Sequence, residues 1–165
     1  MRGNLQTRLE KLKNGDCDAM LLAYAGVHRM EMESYITQHL SLVQFVPAVG
    51  QGSVAIQCAV TLNSNIKDLV RKACNHPSTE AALLAERHLL AHLEGGCSVP
   101  VYGHAVVKDN QLALHAGVLS LDGIENIYHS AEGSDPAILG KEVAMELIHL
   151  GAHQLLRKIR QQLGS

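Results

Sequence analysis

The chemistry this sequence can offer is concentrated between Glu86 and Pro100, in the stretch ERHLLAHLEGGCSVP, where a helical run stops at a double glycine and passes through one cysteine into a strand. Gly95 and Gly96 suit the positive φ values that a helix C-terminus favours, and they clear bulky side chains from beside Cys97, which places the thiol on an open loop. Such a thiol can carry a covalent group once its surroundings favour the thiolate, because the thiolate is the nucleophile. A single cysteine is equally consistent with a small buried hydrophobe, and the stretch alone leaves both readings open.

Two further sites could bind an anion or a polar ligand. In RGNLQTRLEKLKNGD, Asn4 is suited to cap a helix with Leu5, Leu9 and Leu12 on one face, and Asn14-Gly15 to stop it. Arg2 precedes that helix and Arg8 lies in its second turn, so both guanidiniums can reach the end where free N–H groups and the helix dipole favour an anion. A carboxylate would suit them, since arginine binds it through two parallel hydrogen bonds; two solvated arginines on an exposed face are the other reading. Gln51 sits between Gly50 and Gly52, placed either to contact a ligand or simply within a glycine hinge, and the two are compatible.

These residues need elements to hold them. CDAMLLAYAG reads as a buried strand ending at a glycine turn, HRMEMESYI as a short helix, and the pair as half of an α/β unit. SLVQFVPAVG reads as a strand brought up to Pro47, and VGQGSVAIQC as a second, alternating strand. From Asn63 the pattern is that of an independent α+β domain. NSNIKDLVRKACN is an amphipathic helix capped by Asn63 or Ser64, and HPSTEAALLAERHLLAHLEGG is a longer one started by Pro77, Ser78 and Glu80. Its core stripe is Ala82, Leu83, Leu89, Leu90 and Leu93; Glu86 and Arg87 lie amid the stripe and require polar partners or its edge. Three strands in hairpin order follow, turning at Lys108-Asp109-Asn110 and Asp122-Gly123, and a helical end capped by Asp135 breaks at Gly151. The fold expected is a partial α/β domain followed by an α+β domain whose three-stranded antiparallel sheet is covered by helices.

Composition narrows the function further. With 165 residues, 47% apolar and 18% charged, the chain is globular in character, and a net charge of −2 points to neither a nucleic-acid nor a membrane partner. No apolar run is long enough to span a bilayer and the start is polar and charged, so the expected compartment is the cytoplasm. Cys17, Cys58, Cys74 and Cys97 form no CxxC pair, which argues against a disulfide framework or zinc knuckle. His88 and His92 stand one helical turn apart but lack a third ligand, so no metal site is expected; His149 and His153 read as surface residues. No local signature supplies Cys97 with the partners of a cysteine hydrolase, and the GQG segment lacks the rest of a nucleotide fingerprint.

Three motifs together carry a resemblance. MRGNLQTRLEKL at the start, PAVGQGSVAIQC from Pro47 to Cys58, and LEGGCSVP around Cys97 resemble, in order and spacing, segments of the porphobilinogen deaminases, also called hydroxymethylbilane synthases. The resemblance covers nearly the whole chain but only the C-terminal half of such an enzyme. It implies a transferase of tetrapyrrole (heme) biosynthesis that joins four porphobilinogen units into hydroxymethylbilane with release of ammonia. It further implies a dipyrromethane cofactor held by a thioether to Cys97, Arg2 and Arg8 binding the acidic side chains of cofactor and growing pyrrole chain, and Gln51 near the cleft. The domains implied are the end of an α/β cofactor- and substrate-binding domain over 1–46, a crossover and a strand of the N-terminal domain over 47–61, and a C-terminal α+β domain carrying the cysteine over 62–165.

Where the family usually has a glutamate this sequence has Gln57, and Ala59 stands where an arginine is usual. The catalytic aspartate of the family lies in its N-terminal domain, so no catalytic residue is expected in these 165 residues, and the polypeptide by itself is expected to lack synthase activity. It would work with an N-terminal half or associate with itself through exposed strands; the alternative is a non-catalytic fragment or binding module that needs an N-terminal partner.

Overall fold

The computed structural model describes residues 3–93 and 99–164. They belong to two compact units, Met1–Leu40 and Ser41–Ser165. In the first, α1 spans Leu5–Lys13, and the Asn4 side chain accepts from the Thr7 N–H at 2.9 Å, which satisfies one of the donors a helix start leaves free. The helix ends at Asn14 and Gly15, the latter at φ +80°, as its sequence signals require. α2 is short, Tyr24–Arg29, and one 3-10 turn follows at Glu33–Tyr35.

The strand expected over CDAMLLAYAG does not form: residues 17–23 have no regular structure, and Leu21 is 75% exposed. An apolar run becomes a strand only where a neighbour completes its ladder, and this unit has no other strand among its described residues. Of the helices expected here α1 forms, but the second falls over Tyr24–Arg29, beginning inside the run read as a strand, and HRMEMESYI holds only its last two residues and the 3-10 turn; the expected sheet is absent among the described residues.

The same correction applies to 41–46 and 53–58, which are turns and irregular chain. Val54 in the second run is 92% exposed. Its alternating pattern is real, but no described strand lies against it. What this segment contributes is a single bridge, Ala48 to Tyr102.

α3 (Ser64–Cys74) and α4 (Pro77–His92) follow. The Asn63 side chain caps α3 from the Asn65 N–H at 2.9 Å. α4 takes Pro77 in its first turn as expected, but its capping acceptor is His76 Nδ1, which receives the Thr79 N–H at 3.3 Å. Between the two helices Arg71 Nη2 donates to Glu80 Oε1 at 2.5 Å and Asn75 Nδ2 to Glu80 Oε2 at 2.7 Å. The Arg71 bond, then the Asn75 bond, hold the Glu80 carboxyl below its ordinary value of 4.5. A carboxyl whose pKa is lower folded than unfolded stabilises above the unfolded value and loses that contribution as pH falls through the folded one. The α3–α4 connection is therefore expected to loosen under acid conditions below 4.5, and Glu80→Gln to flatten that dependence, read as amide exchange in residues 71–80 against pH.

The sheet is antiparallel in the order β1 (Val101–Lys108), β2 (Gln111–Leu119), β3 (Asn126–Gly133). Asp109 and Asn110 both take positive φ, +49° and +66°, giving the two-residue hairpin turn whose twist matches that of the strands. α5 (Pro136–His149) is capped by Asp135, whose Oδ1 accepts from Ala137 N at 2.8 Å and Ile138 N at 2.9 Å. Gly151, at φ +106°, breaks the chain into α6 (Ala152–Leu163). Leu114 and Val118 from the sheet pack with Leu89, Leu93, Leu139, Val143, Leu147, Leu156 and Ile159 into one core. This is the α+β arrangement the sequence led one to expect.

His149 is on the surface, as expected. His153 is not: it is half-buried, and its Nε2 is sealed from solvent with no hydrogen-bond partner among the described residues. The left-handed turn at Gly151 folds α6 back so that its first turn packs on the core. No described helix is long and apolar enough to cross a membrane.

Candidate functional site

Arg2 and Cys97 lie outside the described residues. Arg8 belongs to the first unit and Gln51 to the second. Arg8 is half-buried and folds back along its helix, its Nε donating to the Gly3 carbonyl at 2.9 Å. That bond anchors the guanidinium at the N-terminal end of α1, where the helix dipole favours an anion.

Gln51 is exposed at the tip of a turn closed by its own N–H on the Ala48 carbonyl at 3.0 Å. Gly50 and Gly52 on either side take φ of +73° and +82°, values that a side chain would strain. The chain before the turn docks on the free edge of β1, where Gly103 N donates to the Pro47 carbonyl at 3.0 Å beside the Ala48–Tyr102 bridge. A Cβ on Gly103 would stand 3.0 Å from Leu89 Cδ2 and 3.2 Å from Val49 Cγ2. The bare backbone there allows both side chains to close over it.

The polar partners that Glu86 requires are backbone amides. Its residue is 5% exposed, its Oε2 accepts from Gly50 N at 2.7 Å and its Oε1 from Ala105 N at 2.8 Å. His104 Nδ1 lies 4.0 Å from the same Oε1. An acceptor-only group thus meets two donors, the arrangement under which burying a carboxylate is tolerable. Arg87, the next residue, takes the other option and is exposed. Nothing in the motif pattern marks Glu86 as part of a site; the signal is a charge inside an apolar helical stripe.

His92 Nδ1 bonds the His88 carbonyl at 2.7 Å, and among the described residues no group of three His, Cys, Asp or Glu could hold a metal ion. On the sheet's face away from the core Tyr102 donates to Asn126 Oδ1 at 2.9 Å and His115 pairs with Ser130. Burial raises the Tyr102 pKa above 10.0, against the lowering effect of its bond to Asn126. Of the described cysteines, Cys17 and Cys58 are half-buried and Cys74 is exposed.

Two family models match the chain. One, described as the dipyromethane cofactor binding domain of porphobilinogen deaminase, covers residues 1–67, and the other, the C-terminal domain of porphobilinogen deaminase, covers residues 80–149. A protein named porphobilinogen deaminase from Cytophaga hutchinsonii is 46% identical over 166 residues, which is 99% of this chain and 53% of that relative. Another of that name from Desulfosudis oleivorans is 42% identical over 164 residues, 98% of this chain and 53% of the relative. The chain spans about half the length of the curated relatives it matches.

Proposed function

Because the chain belongs to the porphobilinogen deaminase family, whose C-terminal portion it matches, we propose that it forms that portion of an enzyme joining four porphobilinogen units into hydroxymethylbilane with release of ammonia. The observation that carries this reading is the pair of family models lying in order on one chain, the first of them described as a cofactor-binding domain.

The residues suit the ligand. Pyrroles bearing acetate and propionate groups need cations, and Arg8 anchored at a helix start, with Arg2 before it, offers paired hydrogen bonds to carboxylates. Gln51, on an exposed turn, offers both an amide donor and an acceptor to the pyrrole units. Cys97 holds the dipyrromethane by a thioether, and the bound group supplies the primer that keeps successive additions intramolecular. Residues 1–46 complete a cofactor- and substrate-binding domain, 47–61 form a crossover, and 62–165 present the cysteine. The compartment is the cytoplasm.

The exposed apolar run around Val54, Ile56 and Val60 favours a partner, either the N-terminal half of such an enzyme or a second copy. The test is turnover of porphobilinogen, followed as ammonia release. The 165-residue polypeptide is expected to show none alone and to gain activity when co-expressed with the N-terminal half of the Cytophaga hutchinsonii relative. Ordinary turnover by the polypeptide alone would overturn the need for a partner. A folded chain that stays inactive with that half and binds no tetrapyrrole would favour the non-catalytic module.

A further inference from the structure

Resting on the reading that Gln51 and Cys97 hold cofactor, we infer that Glu86 is a positioning residue, one buried carboxylate that holds the Gln51 turn against the helix and the strand that bracket Cys97. Three pieces of chain meet at this group. α4 carries it and runs into the Cys97 segment; β1 leaves that segment and gives it the Ala105 N–H; the crossover turn gives it the Gly50 N–H, one residue before Gln51.

The edge of β1 explains why a carboxylate is needed. Gly103 N is met by the Pro47 carbonyl beside the single antiparallel Ala48–Tyr102 bridge, but the next donor along this edge, Ala105 N, is met by no backbone carbonyl of the crossover and would without Glu86 be left buried and unpaired. Glu86 Oε1 takes that donor, and Oε2 takes the Gly50 N–H of the turn. Both oxygens are used as acceptors from N–H groups, so a glutamine, with one oxygen and one NH2, can satisfy only one and sets a donor against the other. The rest of the turn has one internal bond, Gln51 N to the Ala48 carbonyl, and its glycines add no side-chain contact. Its attachment at the Gln51 end therefore depends on Glu86.

The experiment is residue-resolved amide exchange and amide-proton NMR on the 165-residue chain and its Glu86→Gln and Glu86→Asp variants. In the unchanged chain the Gly50 N–H, although in a surface turn, is expected to be protected and to resonate downfield together with that of Ala105, the signature of N–H groups bonded to a carboxylate. Glu86→Gln is expected to raise Gly50 exchange about ten-fold or more, corresponding to loss of one hydrogen bond, and to remove its downfield shift, with Leu89 and Leu114 protected as before. Glu86→Asp, which keeps the charge but is shorter, is expected to restore one of the two signatures and not both. Exchange of Gly50 at the free rate in the unchanged chain would overturn the inference, and so would a Glu86→Gln variant in which Gly50 stays protected or loses protection only in step with the core. Should Glu86→Gln fail to fold, the unchanged chain decides by the protection and shift of Gly50. Turnover enters none of these readouts, so a failure of the proposed reaction is distinguishable from a failure of the clamp.

Discussion

Gly140→Ala is expected to cost about 2–3 kcal/mol and to lower the melting temperature by roughly 10 °C, measured by calorimetry or circular dichroism. Helix propensity alone predicts the opposite, since Gly140 lies inside α5 and alanine is worth up to about 1 kcal/mol more there. Packing decides the sign. A Cβ on Gly140 would stand 2.7 Å from His88 Cβ and 3.0 Å from Leu89 N, and closer still to the Ala85 carbonyl oxygen. The obstacles include backbone of α4, which cannot swing aside as a side-chain tip can. Relief requires α4 and α5 to separate, and Ala85 and Leu89, both 0% exposed, are in the seam. Gly133→Ala is the control: its Cβ would meet Leu139 atoms at 3.6 Å, ordinary contact, and a change within about 0.5 kcal/mol is expected. Equal losses in the two variants would mean that the α4–α5 approach is not the constraint.

That approach matters beyond stability because α4 carries Glu86 and leads into the Cys97 segment. Separating α4 from α5 would also disturb the carboxylate that joins Gly50 to Ala105. A core glycine and a buried charge on facing helices thus set one position between them, that of the helix that precedes Cys97 in the sequence.

The parts of this fold legible in the sequence are those determined by a few neighbouring residues. Asn4, Asn63 and Asp135 are caps because their side chains reach N–H groups two or three residues ahead. Asp109-Asn110 and Gly151 punctuate because of the backbone angles they accept. The expected strands at 17–26, 41–46 and 53–58 fail for the converse reason: an apolar or alternating run states a preference, while a strand exists only when distant residues complete its ladder. Glu86 lies between these cases. Its burial in an apolar stripe showed that it needed partners, but Gly50 and Ala105 are 36 and 19 residues away and are backbone groups, to which side-chain motifs give no clue. Gly140 and the half-buried His153 were invisible for the same reason, since what surrounds them comes from other elements. Arg2, Arg8, Gln51 and Cys97 were singled out by residue type and position, and the resemblance gave each its proposed role.

Replacing Cys97 by alanine is expected to abolish covalent cofactor completely, an all-or-none change that intact-mass measurement reads directly. A thioether is a single bond to a single sulfur, so no neighbouring residue can preserve part of it, unlike the anion contacts proposed for Arg2 and Arg8, whose loss would weaken binding by degrees. The chain purified with the complementary half is expected to carry the added mass of one dipyrromethane unit, and the Cys97→Ala chain to have its bare mass. The competing acceptor is Cys74, exposed at the end of α3, whereas Cys17 and Cys58 are half-buried. An adduct that survives in Cys97→Ala and disappears in Cys74→Ala would move the attachment point and break the reading of the LEGGCSVP loop. An adduct lost only in Cys97→Ala, and gained only when the other half is present, would assign presentation of the thiol to this chain and the loading reaction to the assembled enzyme.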